Sequence, residues 1–133
     1  MSVKRIAVHC VDIEDKPGSL QKFLTQSSLS GADYLCFLAF SCSDNHSRVY
    51  VSAKDPKSFE AFAKEAEMKT TEAAGFIVSG EDHAGAAANV LKGLAEKDIR
   101  GIAGTAMVCD NQYHLFVVVS AKDADQAQKV LGD

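Results

Sequence analysis

Residues 14–20, Glu-Asp-Lys-Pro-Gly-Ser-Leu, place two acids, a base, a proline and a glycine between an apolar stretch and a helical one. A helix that starts here exposes backbone N–H groups without intrahelical partners and carries a partial positive charge, which suits an anion such as a carboxylate. Asp15, just before it, is suited to a cationic group. Pro17 costs little in a first turn, where its missing N–H would go unused, and Gly18 adds no side chain to obstruct close approach. The same residues also have a purely structural reading, with Asp15 capping the helix, Pro17 starting it and Gly18 serving backbone packing.

Other chemistry finds no residues to carry it. His9, His46, His83 and His114 lack His-x-x-His or His-x-x-x-His spacing and form no Cys/His metal-ligand motif, so no metal is expected. There is no Gly-x-Ser-x-Gly elbow, no Gly-x-Gly-x-x-Gly and no Walker-type loop, and Gly-Ile-Ala-Gly at 101–104 is too short to cradle phosphate. Glu14–Asp15 and Glu81–Asp82 are paired carboxylates, but neighbours on one turn lack the opposed placement that acid–base catalysis needs. These absences predict a protein without catalytic residues or a cofactor.

The bulk composition agrees. Fourteen Lys and Arg against eighteen Asp and Glu give a formal net charge of −4, which disfavours nucleic acid and anionic membranes. Hydrophobic residues make up 47% of the 133, yet no apolar run reaches the length of a membrane span, and the first ten residues lack the apolar core of a signal peptide. A soluble, cytoplasmic protein is expected. Cys10, Cys36, Cys42 and Cys109 show no Cys-x-x-Cys spacing and are predicted to be buried free thiols.

The elements that must position the turn occur twice. Val-Tyr-Val-Ser-Ala-Lys-Asp at 49–55 returns as Val-Val-Val-Ser-Ala-Lys-Asp at 117–123, and Glu14-Asp15 with Gly18 returns as Glu81-Asp82 with Gly85. Two landmarks in the same order at nearly one offset mark a duplicated unit. In each copy an alternating strand leads through the acidic turn to a helix, then to two strands joined by a short turn, then to a second helix. Leu20, Phe23 and Leu24 mark the first helix, and Phe59, Phe62, Ala63 and Ala66 the buried stripe of the second, which Asp55 caps and Pro56 opens. In the second copy Val90, Leu91 and Leu94 mark the first helix, and Asp123 with Gln126 predicts a capping box for the last.

Residues 1–72 are thus expected to form one unit and 73–133 a second whose closing strand is absent. The stretch 67–80 must hold either one strand or two. Such an order predicts an α+β fold: two ferredoxin-like units, each an antiparallel sheet with its helices on one face. In residues 34–42, Leu35, Phe37 and Ala39 alternate with Tyr34, Cys36, Leu38, Phe40 and Cys42, and both sets are apolar. The bare sheet face is therefore expected to meet another layer, and a homodimer follows.

A strand followed by Glu-Asp-Lys-Pro-Gly-Ser-Leu, a helix and Gly-Ala-Asp-Tyr-Leu-Cys-Phe-Leu-Ala-Phe, all duplicated, resembles the ACT domain, a βαββαβ regulatory module. The resemblance covers essentially the whole chain as a tandem, stand-alone pair. It implies regulation through a free amino acid bound at an interface between ACT units, by Asp15, Lys16, Pro17, Gly18, Ser19 and Leu20. A zwitterion matches both the helix terminus and the acid. Asp82, His83 and Gly85 are the equivalent residues of the second turn, which departs from the pattern where His83 and Ala84 replace Lys16 and Pro17. Asp33 stands where many ACT domains carry an interface Asn, and reads equally as a solvent-facing acid. A partner enzyme would receive the signal. The alternative is an ACT frame without a ligand, kept as a dimerising or assembly surface for a partner enzyme.

Overall fold

The structure, a computed structural model, describes residues 1–132. The elements are β1 (Ser2–Glu14), α1 (Ser19–Leu29), β2 (Tyr34–Ser41), β3 (His46–Ala53), α2 (Pro56–Glu65), β4 (Thr71–Glu81), α3 (Ala86–Glu96), β5 (Ala103–Cys109), β6 (Gln112–Ser120), a 3₁₀ turn (Ala121–Asp123) and α4 (Ala124–Leu131). The stretch 67–80 therefore holds one strand. No helix is long and apolar enough to cross a membrane.

The chain divides into two compact units. One is Ala7–Glu72; the other gathers Met1–Ile6 with the residues from Ala73 onward. In the first, β3 lies between β1 and β2 and pairs antiparallel with both, with Val11 opposite Val49 and Ala39 opposite Val49 across the other edge. In the second, β6 lies between β4 and β5 in the same manner, with Val78 opposite Leu115 and Ala106 opposite Leu115. The opening residues of β1 belong with the second unit, where Val3 packs on the core and Arg5 reaches Asp125 Oδ1 at 2.8 Å and Gln128 Oε1 at 2.7 Å.

Alternation along the strands creates one apolar face per sheet, and both helices of each unit cover it. Val11, Val49, Val51 and Ala53 meet Phe23 of α1 and Phe59, Phe62 and Ala63 of α2. Phe59 is fully buried, its ring 6.3 Å from those of Phe23 and Tyr34 and 6.1 Å from Phe62. The second core follows the same plan, with Phe76, Val78, Leu115, Val117 and Val119 under Val90 and Leu94 of α3 and Ala127 and Leu131 of α4.

Helix ends carry the duplication into the backbone. After α1, Ala32 N–H bonds Ser27 O and Gly31 N–H bonds Ser28 O; after α3, Ile99 bonds Leu94 and Asp98 bonds Ala95 in the same pattern. This is the Schellman arrangement, with Gly31 and Asp98 both at positive φ. Both hairpins place an Asp-Asn pair at positive φ, Asp44–Asn45 and Asp110–Asn111. The second is a two-residue turn between the paired Cys109 and Gln112, as type I′ geometry allows, whereas the first is one residue longer, closed by Cys42 N–H on His46 O at 2.8 Å.

Several expectations are corrected. Ala66 is the exposed C-cap of α2, outside the buried stripe, and Leu91 of α3 is exposed. Asp123 makes no side-chain cap; its carboxylate accepts from Ser120 Oγ at 3.1 Å and helps close the 3₁₀ turn. None of the cysteines is buried: Cys10, Cys36 and Cys42 are half-buried and Cys109 is exposed beside its hairpin turn. The alternation expected for residues 34–42 fails at its start, because the register shifts between Tyr34 and Cys36. That bulge turns Tyr34 to the helix side, where it packs with Phe59, in company with Ala39. Phe116 and Val118 of β6, on the face away from the helices, are buried. Among the strands, β2 and β5 expose large apolar side chains, at Leu35, Phe37, Phe40, Met107 and Val108, and Met1, Leu29, Leu91 and Ile102 are exposed elsewhere.

Candidate functional site

The first strand–turn–helix junction is built from a short set of backbone bonds. Asp15 N–H bonds Asn45 O at 3.0 Å, tying the turn to the β2–β3 hairpin, and Ser19 N–H bonds Lys16 O at 3.0 Å. The helix ladder begins with Lys22 N–H on Gly18 O at 2.9 Å. Gly18 occupies the N-cap with φ 86° and no side-chain cap. The amides of Gly18, Leu20 and Gln21 therefore have no protein partner among the described residues, whereas that of Ser19 is used. A Cβ built on Gly18 would meet nothing within 4 Å, so glycine is required here by the left-handed backbone and faces open space.

A shallow cavity of about 400 Å³ lies against these amides, walled by Glu14, Lys16, Pro17, Gly18, Ser19, Gln21, Lys22, Thr25 and Gln26. Two of its lysines, Lys16 and Lys22, add positive charge near the helix N-terminus, and Lys16 Nζ is paired with Glu14 Oε1 at 2.9 Å. Gln21 and Thr25 are hydrogen-bonded at 3.0 Å along the same helix face. The arrangement can hold an anionic group on bare amides and lysines, with a carboxylate, Glu14, at its edge.

Of the residues expected here, Lys16, Pro17, Gly18 and Ser19 are brought together on the cavity wall. Leu20 is not on the cavity wall: its amide has no protein partner among the described residues, and its side chain packs on the core. Asp15 turns away: Oδ2 accepts from Ser41 Oγ at 2.9 Å and Oδ1 from Ser47 Oγ at 3.2 Å, so its carboxylate braces the hairpin. Asp33 lies beyond the far end of α1, about 16 Å along the helix by its rise per residue, where it pairs with Lys54 Nζ at 2.9 Å. Gln21, Lys22, Thr25 and Gln26 were not singled out by the sequence, and Glu14 only as one of a carboxylate pair, although the i, i+4 polar pairs Gln21/Thr25 and Lys22/Gln26 mark one helix face beside the turn.

The second junction repeats the backbone and changes the side chains. Asp82 N–H bonds Asn111 O at 2.8 Å, Ala86 N–H bonds His83 O at 3.1 Å and Asn89 N–H bonds Gly85 O at 2.9 Å. Gly85 is the N-cap at φ 87°. Each bond is the counterpart of one in the first turn. Tyr113 and Val108 are paired where Ser47 and Ser41 pair in the first unit, so no serine stands there to donate to Asp82. The neighbouring cavity, about 300 Å³, is lined by His83, Ala86, Asn89, Val90 and Tyr113 among others and is mainly apolar.

A comparison with protein-family models finds no match, and one with curated proteins finds none either. Solved structures do match. Protein BT0572 from Bacteroides thetaiotaomicron superposes with a TM-score of 0.77 at 15% identity, over 97% of this chain and 88% of that one. The aspartokinase alpha and beta subunits match with a TM-score of 0.69 at 16% identity, covering 98% and 95%. The regulatory subunit of aspartate kinase from Thermus thermophilus, in its ligand-free form, gives 0.65 at 11% identity, covering 98% and 93%. At such low identity the likeness concerns architecture, and the chain shares the ACT-type α+β fold of aspartate kinase regulatory subunits.

Proposed function

We propose that the chain is a tandem pair of ACT units, a non-catalytic regulatory protein that binds a free amino acid at the first strand–turn–helix junction. The observation that carries this is the pair of unpartnered amides at Gly18 and Gln21, both residues of the wall of a cavity that Lys16 and Lys22 also line. An α-carboxylate takes the amides, and Glu14 is placed to receive the ammonium group once it leaves Lys16. The cavity is shallow, so a second ACT unit, supplied by another copy of the chain, closes it. Binding then favours one arrangement of that interface over others, and the preference passes to a partner enzyme. The regulatory subunits of aspartate kinase that share the fold support this reading.

Thermal denaturation with each protein amino acid tests it. A ligand at about 100 times its Kd stabilises by about 2.7 kcal/mol, several degrees for a chain of this size. Gly18→Leu should abolish the shift, because its side chain would enter the cavity. The left-handed backbone costs roughly 1–2 kcal/mol there and leaves the fold intact. No shift with any amino acid at millimolar concentration refutes the proposal.

The second junction favours the alternative reading for its own half: without the lysines, it keeps the turn as architecture. Should no ligand be found, the chain is an assembly module, and light scattering would show a dimer independent of amino acids.

A further inference from the structure

His9 lies on β1, its side chain 5% exposed, with the ring 5.3 Å from that of Phe59. Its Nε2 is buried without a hydrogen-bond partner. Burying a polar nitrogen in this way is costly, and native proteins seldom leave one orphaned. The nitrogen is not aimed at apolar groups. Glu60 Oε2 stands 3.6 Å away, and the ligand atoms of His9, Glu60 and Glu72 all lie within 4.8 Å of one another. Both glutamates are exposed, so water reaches the far side of the group.

We propose that His9, Glu60 and Glu72 form a binding site for a divalent transition-metal ion, zinc or a first-row neighbour such as cobalt or manganese. The spacing of 3.6 Å is too long for the charge-assisted bond that a protonated imidazole would make with a carboxylate. It matches two ligands sharing one ion: bonds of about 2.1 Å in tetrahedral geometry separate their donor atoms by about 3.4 Å. Glu72, at the start of β4 and exposed, needs only a side-chain rotation to complete the triad. One imidazole with two carboxylates suits zinc and its neighbours, whereas magnesium and calcium favour all-oxygen sites. Three protein ligands leave a coordination position for solvent on the exposed side. Phe59 holds the imidazole plane from within the core, and Glu60, next to it on α2, is carried to the rim by the same helical turn. The ion would join β1, α2 and the first residues of β4, all inside one compact unit.

Titration calorimetry of the chelator-stripped protein with zinc chloride at neutral pH, together with absorption spectra of the cobalt complex, tests the site. One ion per chain is expected, with visible cobalt bands and no sulfur-to-cobalt charge transfer in the near ultraviolet. Glu60→Gln and Glu72→Gln, both at exposed positions that keep the fold, should each weaken binding by at least about tenfold, the loss seen when even an outer partner of a ligand is removed. Zinc should raise the melting temperature of the parent protein and lose that effect in both variants. The proposal is overturned by no binding at millimolar zinc, by unchanged affinity in either variant, or by a thiolate charge-transfer band that places the ion on the cysteines.

Discussion

Asp15 and Asp82 occupy equivalent places in two copies of one turn, yet only Asp15 has work for its carboxylate. Both of its oxygens accept serine hydroxyls, at 2.9 and 3.2 Å, while valine and tyrosine replace those serines beside Asp82. The Asp15→Ala and Asp82→Ala variants form a matched pair, because each keeps the backbone bond from its own N–H to Asn45 or Asn111. A buried bond to a charged acceptor would contribute about 1.5–3 kcal/mol; these are exposed and are discounted to about 0.5–1 kcal/mol each. Asp15→Ala should therefore cost about 1–2 kcal/mol, and Asp82→Ala no more than about 0.5 kcal/mol. In urea the first variant should lower the midpoint with an unchanged slope, and its melting temperature should fall by roughly 3–8 °C. Ser41→Ala and Ser47→Ala placed in the Asp15→Ala background should then add almost nothing, since their shared partner is gone. Equal losses in the two aspartate variants, or full additivity with the serines, would refute the assignment of Asp15 as a hairpin brace. The assay uses the protein without any ligand, so it separates this structural duty from recognition.

Phe59→Ala should cost about 3–5 kcal/mol by chemical denaturation, since the ring is fully buried at the centre of the first core and its loss leaves a cavity among Phe23, Tyr34 and Phe62; a loss under about 1.5 kcal/mol would mean that this core collapses freely. Stability should also fall in alkali. Burial pushes the Cys10 and Cys36 thiols above their ordinary value of 9.0 and the Tyr34 and Tyr50 phenols above 10.0. The unfolded chain then releases these protons first, so their contribution is whole below pH 9.0 and is lost as pH rises through the folded values. Urea midpoints should drop above that pH, and the drop should shrink in Cys36→Ser; a flat profile would show that these groups remain solvated in the fold.

The junction and its duplication were legible because both are local. A glycine that must hold a positive φ, a helical period that begins beside it and a strand that ends before it all fall within a dozen residues, and they recur. What escaped was everything decided across distance. The bulge between Tyr34 and Cys36 leaves no mark on an apolar run that is hydrophobic on both sides, so alternation alone misdirected Tyr34. The two serines that claim Asp15 sit 26 and 32 residues away, and nothing in Glu-Asp-Lys-Pro-Gly tells a free carboxylate from an occupied one. His9, Glu60 and Glu72 are still farther apart and share no spacing motif. The two turns show the consequence for function. Their backbones agree bond for bond, because the left-handed glycine and the hairpin contact determine the geometry, whereas the side chains around them diverge from Lys16 and Ser19 to His83 and Ala86. Both copies leave backbone donors at the turn, but the lysines and the glutamate stand on the cavity wall of the first copy alone. A frame repeated so closely thus leaves recognition to a handful of surface residues, and His83→Lys together with Asn89→Lys is the change that would carry the two lysines of the first cavity to the second.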